Sequence, residues 1–182
     1  MRKLGHRIVE LKVRVSNEIT DEQLEYIKNI TEGIPVNVGY LSEWGSLGIL
    51  EKHFGCKGYN SNGQEDEAKN QEGYDYKFEN GFLVEHKKMV CNKTSSTAKN
   101  LGSNKENKCT HFSFHHPEQN AIYVMKAKDF YKHIALNYDT KCNTYDVAFY
   151  TDMKLEGPYK RRDSRVSKNT KALLDYGVKI DL

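Results

Sequence analysis

The feature that most constrains this chain is a dipeptide, Asn80-Gly81, set between two β-type runs. Asn-Gly in that position is the strongest short-range signal for a hairpin, because both residues accept the positive φ of a tight two-residue turn. The returning run, Leu83-Val84-Glu85-His86-Lys87, reads as a strand. Alternation along a strand places Glu85 and Lys87 on one face and His86 on the other. Asp75 stands ten residues before Glu85, on the outgoing arm. A strict two-residue turn pairs Asp75 with His86, on the wrong face for Glu85. Asp75 reaches the Glu85 face if the loop holds an odd number of residues, if a bulge intervenes, or if Asp75 lies just off the strand start.

Two carboxylates on adjacent strands with a lysine beside them suit divalent-metal chemistry on a phosphodiester. Hard oxygen ligands hold Mg²⁺, and the reaction needs an activated water and stabilisation of the developing negative charge. On this reading Asp75 and Glu85 hold the ion, and the carbonyl of His86 is a further candidate ligand. Lys87 orients the water or offsets charge on the phosphate.

The pattern Asp75…Glu85-His86-Lys87 resembles the D…(D/E)-x-K motif of the PD-(D/E)xK nuclease superfamily, which includes many type II restriction endonucleases. The stretch Gly45-Ser46-Leu47-Gly48-Ile49-Leu50-Glu51 resembles the first helix of its MutH/Sau3AI-like branch. The resemblance covers residues 44–89. It implies a restriction-endonuclease-like core, a helix glutamate in the active site (here Glu51), Mg²⁺ as cofactor and cleavage of double-stranded DNA. The aspartate follows Gly73-Tyr74 rather than proline, and the Glu51–Asp75 and Asp75–Glu85 gaps are longer than in that pattern. Glu67 and Glu72 are the alternative first ligands. A homing, repair or junction-resolving nuclease of the same fold would carry the same motif, and a DNA- or RNA-binding module without catalysis is the rival from another class.

The rest of the chain predicts an α/β fold, a central mixed sheet flanked by helices, in one domain over 1–182. The catalytic core is expected at about 41–150 and a basic DNA-contacting region at about 154–176. Residues 7–15 alternate as a half-buried strand, and Thr20-Asp21-Glu22-Gln23 opens a helix with Leu24, Ile27 and Ile30 on one face. Residues 41–54 read as a second helix stopped by Gly55. Residues 56–73 and 92–108 read as loops. Strands are expected at 111–115, 121–125 and 145–150, with helices from Asp129 to about Asn137 and from Asn169 to Tyr176. His115 and His116 read as polar residues at a strand end, beside a turn at Pro117.

The net charge of +3 is mild, but its distribution is uneven. Residues 154–171 hold seven Lys and Arg against Glu156 and Asp163. Lys160, Arg161, Arg162, Arg165 and Lys168 are the candidate phosphate contacts, and arginines can also read guanine edges. Tyr59, Tyr74 and Tyr76 are candidates to line the cleft. Mean hydropathy is −0.79 and no apolar run approaches a membrane span, which argues for a cytoplasmic protein with no membrane partner. Cys56, Cys91, Cys109 and Cys142 are too scattered for a Cys-x-x-Cys site and read as free thiols. The absence of a P-loop, a G-x-G-x-x-G fingerprint and a G-x-S-x-G elbow sets aside nucleotide-cofactor and serine-hydrolase readings. A homodimer would let two such sites cut both strands of a symmetric DNA site.

Overall fold

The computed structural model describes residues 38–61, 73–101, 108–158 and 160–182. The strand expected at 7–15, the helix after Thr20, and Glu67 and Glu72 lie outside the described residues.

Helix α1 (Val38–Phe54) ends at Gly55, whose N–H returns to the Glu51 carbonyl at 2.8 Å. Its Leu47 and Leu50 are buried against a six-stranded sheet. In spatial order that sheet is β1 (Gly58–Asn60), β2 (Tyr76–Phe78), β3 (Leu83–Lys88), β6 (His111–His116), β7 (Ala121–Lys126) and β10 (Gly177–Asp181). Every neighbouring pair is antiparallel except β3 and β6, which run parallel with His86 opposite Ser113. A parallel pair needs a crossover. Here the chain leaves at Met89 and forms β4 (Val90–Cys91) and β5 (Ser95–Leu101) of a second sheet before returning at β6. That second sheet is completed by β8 (Asn137–Asp139) and β9 (Thr144–Tyr150), in the order β4-β5-β9-β8.

The expected α/β architecture with a mixed central sheet is present. Helix α1 covers one face, where Tyr76, Phe78, Val84, Ile122 and Val124 close around its leucines. The other face was expected to be helical and is largely covered by the second sheet. Phe112, Phe114, Tyr123 and Met125 there meet Ala98, Leu101, Val147 and Phe149. Helices α2 (Ala127–His133) and α3 (Arg165–Tyr176) close that core with Phe130, Ala172 and Leu173. Phe112 lies 4.1 Å from the Phe130 ring, centroid to centroid. Strand β1 fits only because residue 58 is glycine: a Cβ there would sit 2.6 Å from Phe78 Cε1 and 2.9 Å from Leu47 Cδ1.

Several boundaries differ from those expected. Residues 95–101 form a strand inside the second sheet rather than a loop. The inward positions Ser96 and Ala98 are small, so no apolar alternation marks the strand, and its register shifts between Ala98 and Leu101. Helix α3 begins four residues early, because Ser164 caps it by accepting the Ser167 N–H at 3.1 Å. Helix α2 stops at His133, short of Asn137. Gly58–Asn60 and Gly177–Asp181 are strands that had no expected counterpart. His115 and His116 are the last two residues of β6, before the turn at Pro117 as expected, and both are fully buried.

Candidate active site on the hairpin

The hairpin has a three-residue loop, Glu79-Asn80-Gly81. The Phe78 N–H donates to the Phe82 carbonyl at 2.8 Å, and Gly81 takes the left-handed conformation at φ +86°. A type I turn followed by a left-handed glycine is the usual three-residue form. Of the arrangements open to this hairpin, the loop with an odd number of residues is the one that forms. The register sets Tyr76 opposite Val84 and Lys77 opposite Leu83, so the next step brings Asp75 to Glu85. Asp75 sits just off the start of β2. Its N–H donates at 2.9 Å to the carbonyl of Val84, the residue facing Tyr76.

Asp75, Glu85 and Lys87 converge. Lys87 Nζ is 2.6 Å from Glu85 Oε1 and 3.7 Å from Asp75 Oδ2. Asp75 Oδ2 also accepts the backbone N–H of His86 at 2.7 Å. Both carboxylates are buried, and Lys87 is half-buried. Burial raises the Glu85 carboxyl above its ordinary pKa, the Asp75 charge adds to this, and Lys87 only partly offsets them. Burial alone would lower the Lys87 pKa, but Asp75 and Glu85, helped by Glu43, overcome it and hold the ammonium protonated well above its usual range. Among the described residues, Lys87 is the cation that pairs with both carboxylates.

His86 points to the opposite face, under α1. Its Nε2 lies 3.3 Å from Ser46 Oγ and its Nδ1 3.0 Å from Ser113 Oγ. Burial, then the nearby His115 and Lys87, lower its pKa far below the usual histidine value, so the ring is neutral. His115 is lowered to about 4, by burial first and then by Lys88 and His116.

Glu51 does not join the cluster. Its Oε1 accepts the Gly58 N–H at 2.9 Å, at the start of β1, and Gly58 pairs with Phe78. Phe78 is three residues from Asp75, roughly 10 Å along an extended strand. The acidic residue of α1 whose field reaches Lys87 is instead Glu43, eight residues earlier, and the Tyr76 hydroxyl donates to the Glu43 carbonyl. Sequence reasoning missed Glu43, Ser46 and Ser113. Ser113 was findable, since it alternates with His111 and His115 once β6 is set beside β3. Cys109 is a buried free thiol, as expected, and the Glu85 charge reaches it. Its thiol is pushed up to about 12 by burial and by the Glu85 charge.

The basic region divides. Lys160 is taken up structurally: its Nζ meets Asp152 Oδ1 at 2.5 Å and Oδ2 at 2.7 Å, and lies 4.9 Å from the Tyr150 ring centroid. Arg161, Arg162, Arg165 and Lys168 are exposed around the start of α3. Of the tyrosines, Tyr76 is buried and Tyr59 is exposed with its hydroxyl on Glu79.

Among the described residues no three His, Cys, Asp or Glu side chains form a ready metal cage. The hairpin offers two hard carboxylate oxygens, which fits Mg²⁺ better than softer ions, because Mg²⁺ keeps several waters and uses one or two carboxylates plus substrate phosphate. No protein-family model matches the chain, and no curated protein is significantly similar to it.

Proposed function

We propose that the chain is a metal-dependent endonuclease acting on double-stranded DNA, with its active site on the β2–β3 hairpin, and most specifically a type II restriction-like enzyme. The observation that carries this reading is the convergence of Asp75 Oδ2 and Glu85 Oε1 on Lys87 Nζ across two strands. Asp75 and Glu85 would hold Mg²⁺, with the His86 carbonyl beside them. The ion, when bound, would polarise a phosphate oxygen and acidify a water. Without the ion, Asp75 and Glu85 hold Lys87 protonated. Lys87 would orient the attacking water or offset charge on the phosphate. Glu43, not Glu51, is the α1 carboxylate suited to assist. Arg161, Arg162, Arg165 and Lys168 would supply phosphate contacts, while Lys160 is occupied by Asp152.

The test is supercoiled-plasmid cleavage with and without Mg²⁺, with the ends sequenced. Wild type should cut only with the metal, and Glu85→Ala and Lys87→Ala should each lose at least about 100-fold in rate, the loss typical of removing one preorganised electrostatic group. Cleavage that survives both substitutions refutes the site. Failure to cut diverse DNA with Mg²⁺ or Mn²⁺, with binding that weakens steeply with salt, makes the chain a nucleic-acid-binding module instead.

A further inference from the structure

The residue between Glu85 and Lys87 is the only one of the three whose side chain leaves the site, and in this chain it is a buried histidine. Its backbone and its ring are both engaged. The His86 N–H donates to Asp75 Oδ2 at 2.7 Å, which ties the aspartate to the backbone that carries Glu85 and Lys87. On the other face the ring sits between Ser46 Oγ of α1 at 3.3 Å and Ser113 Oγ of β6 at 3.0 Å. The ring thus touches the helix that carries Glu43 and the strand parallel to β3. Tyr76, the residue after Asp75, lies against the same imidazole at 5.7 Å, centroid to centroid, and bonds α1 through the Glu43 carbonyl.

A neutral imidazole has one N–H and one lone pair, and a hydroxyl can donate or accept. The Ser46–His86–Ser113 line can therefore be satisfied along its whole length, which an aliphatic residue at 86 could not achieve. An aliphatic side chain would fill the space but leave both buried hydroxyls to find other partners. The peptide unit flanking residue 86 would then keep its strand pairing and its N–H bond to Asp75 but lose its polar ties to α1 and β6.

We infer that His86 is a positioning residue: its ring, pinned between Ser46 and Ser113, fixes the backbone from which Asp75, Glu85 and Lys87 are aimed at a divalent cation. The inference rests on the metal-binding reading of the Asp75–Glu85 pair. Partners that orient metal ligands typically change metal affinity by about 10- to 100-fold when removed.

The experiment is Mn²⁺ titration of the full chain followed by electron paramagnetic resonance, without DNA, so that it does not depend on cleavage. Wild type should bind Mn²⁺ and Asp75→Asn should not. His86→Leu should weaken Mn²⁺ by about 10-fold or more. His86→Gln, which keeps a donor and an acceptor, should recover most of the loss. Ser113→Ala and Ser46→Ala should each weaken binding in the same direction and by less, and they serve as the test if His86→Leu does not fold. A folded His86→Leu with wild-type Mn²⁺ affinity overturns the inference, as do serine variants that bind normally. The two readings fail separately. Wild type that binds Mn²⁺ tightly, loses it in His86→Leu, and cuts no DNA removes the nuclease and keeps the positioning role. Wild type that cuts plasmid, beside a His86→Leu protein with unchanged Mn²⁺ affinity, does the reverse. Absence of Mn²⁺ binding in wild type overturns the inference, and plasmid cleavage then decides the nuclease reading on its own.

Discussion

His115 provides a quantitative test of the buried face behind the site. The side chain is fully buried, and its pKa is depressed from 6.5 to about 4, first by burial and then by Lys88 and His116. The folded state therefore binds fewer protons than the unfolded chain between those two values. Stability from this group is intact above about pH 6.5, falls as the pH drops through that window, and stops falling below about pH 4. The full depression from 6.5 to about 4 corresponds to about 3 kcal/mol. Between about pH 7 and about pH 4.5 the loss is about 2 kcal/mol. His86 is shifted in the same direction, so wild type should lose more than this single share. Replacing His115 with Gln removes the titration while keeping a neutral polar side chain. Urea unfolding of both proteins at the two pH values compares His115 against a background in which every other group is present, His86 losing only the part of its shift that His115 supplies. Wild type should lose about 2 kcal/mol more than His115→Gln on acidification, equivalent to roughly 4–8 °C in Tm for a protein of this size. Equal losses in the two proteins would refute the reasoning, and a histidine titration near 6.5 by nuclear magnetic resonance would show why.

Three further outcomes are expected. Lys87→Met leaves Asp75 and Glu85 as like charges buried together, and should cost about 3 kcal/mol at neutral pH; calorimetry should show part of that recovered on adding millimolar Mg²⁺, and no recovery would argue against a cation site at the pair. Gly58→Ala forces a Cβ to 2.6 Å from Phe78 and should destabilise by about 1–3 kcal/mol in urea unfolding; an unchanged midpoint would mean that β1 is not held as described. At about pH 8 a thiol reagent should label the exposed Cys142 rapidly and spare Cys109, whose pKa is pushed up to about 12, until denaturant is added; mass mapping of the labelled peptides reads this directly.

The Glu85 and Lys87 half of the site was legible from sequence because strand alternation is a local rule, and His86 faces away as that rule requires. The partner of the motif was less legible. Asn80-Gly81 announced a hairpin, but whether the loop closes over two residues or three is decided by the pairing of Phe78 with Phe82, which sequence leaves open. The helix glutamate was placed by resemblance at Glu51. Glu43 and Glu51 lie on the same helix, and only the docking of α1 on the sheet decides that the Glu43 charge acts on Lys87 while Glu51 accepts the Gly58 N–H. The second sheet was mostly invisible, because Ser96 and Ala98 fill its buried positions without a hydrophobic signature. Lys160 looked like its basic neighbours, and its burial against Asp152 and Tyr150 is a tertiary event.

The detour of the chain between β3 and β6 separates two stages in the making of the site. Asp75 and Glu85 belong to one hairpin and need only a short loop closure, which is fast. Ser113 reaches His86 only after the chain has run out through β4 and β5 and back, and β5 in turn pairs with β9, with Ala98 opposite Val147. Pairings of such long sequence separation are slow to form because loop entropy is lost before the contacts repay it. During folding, then, the carboxylates meet early on a loose hairpin, and the histidine behind them is gripped late. A nascent or partly unfolded chain would hold the acidic residues without their scaffold, so rigidity, rather than composition, is the last property the site acquires.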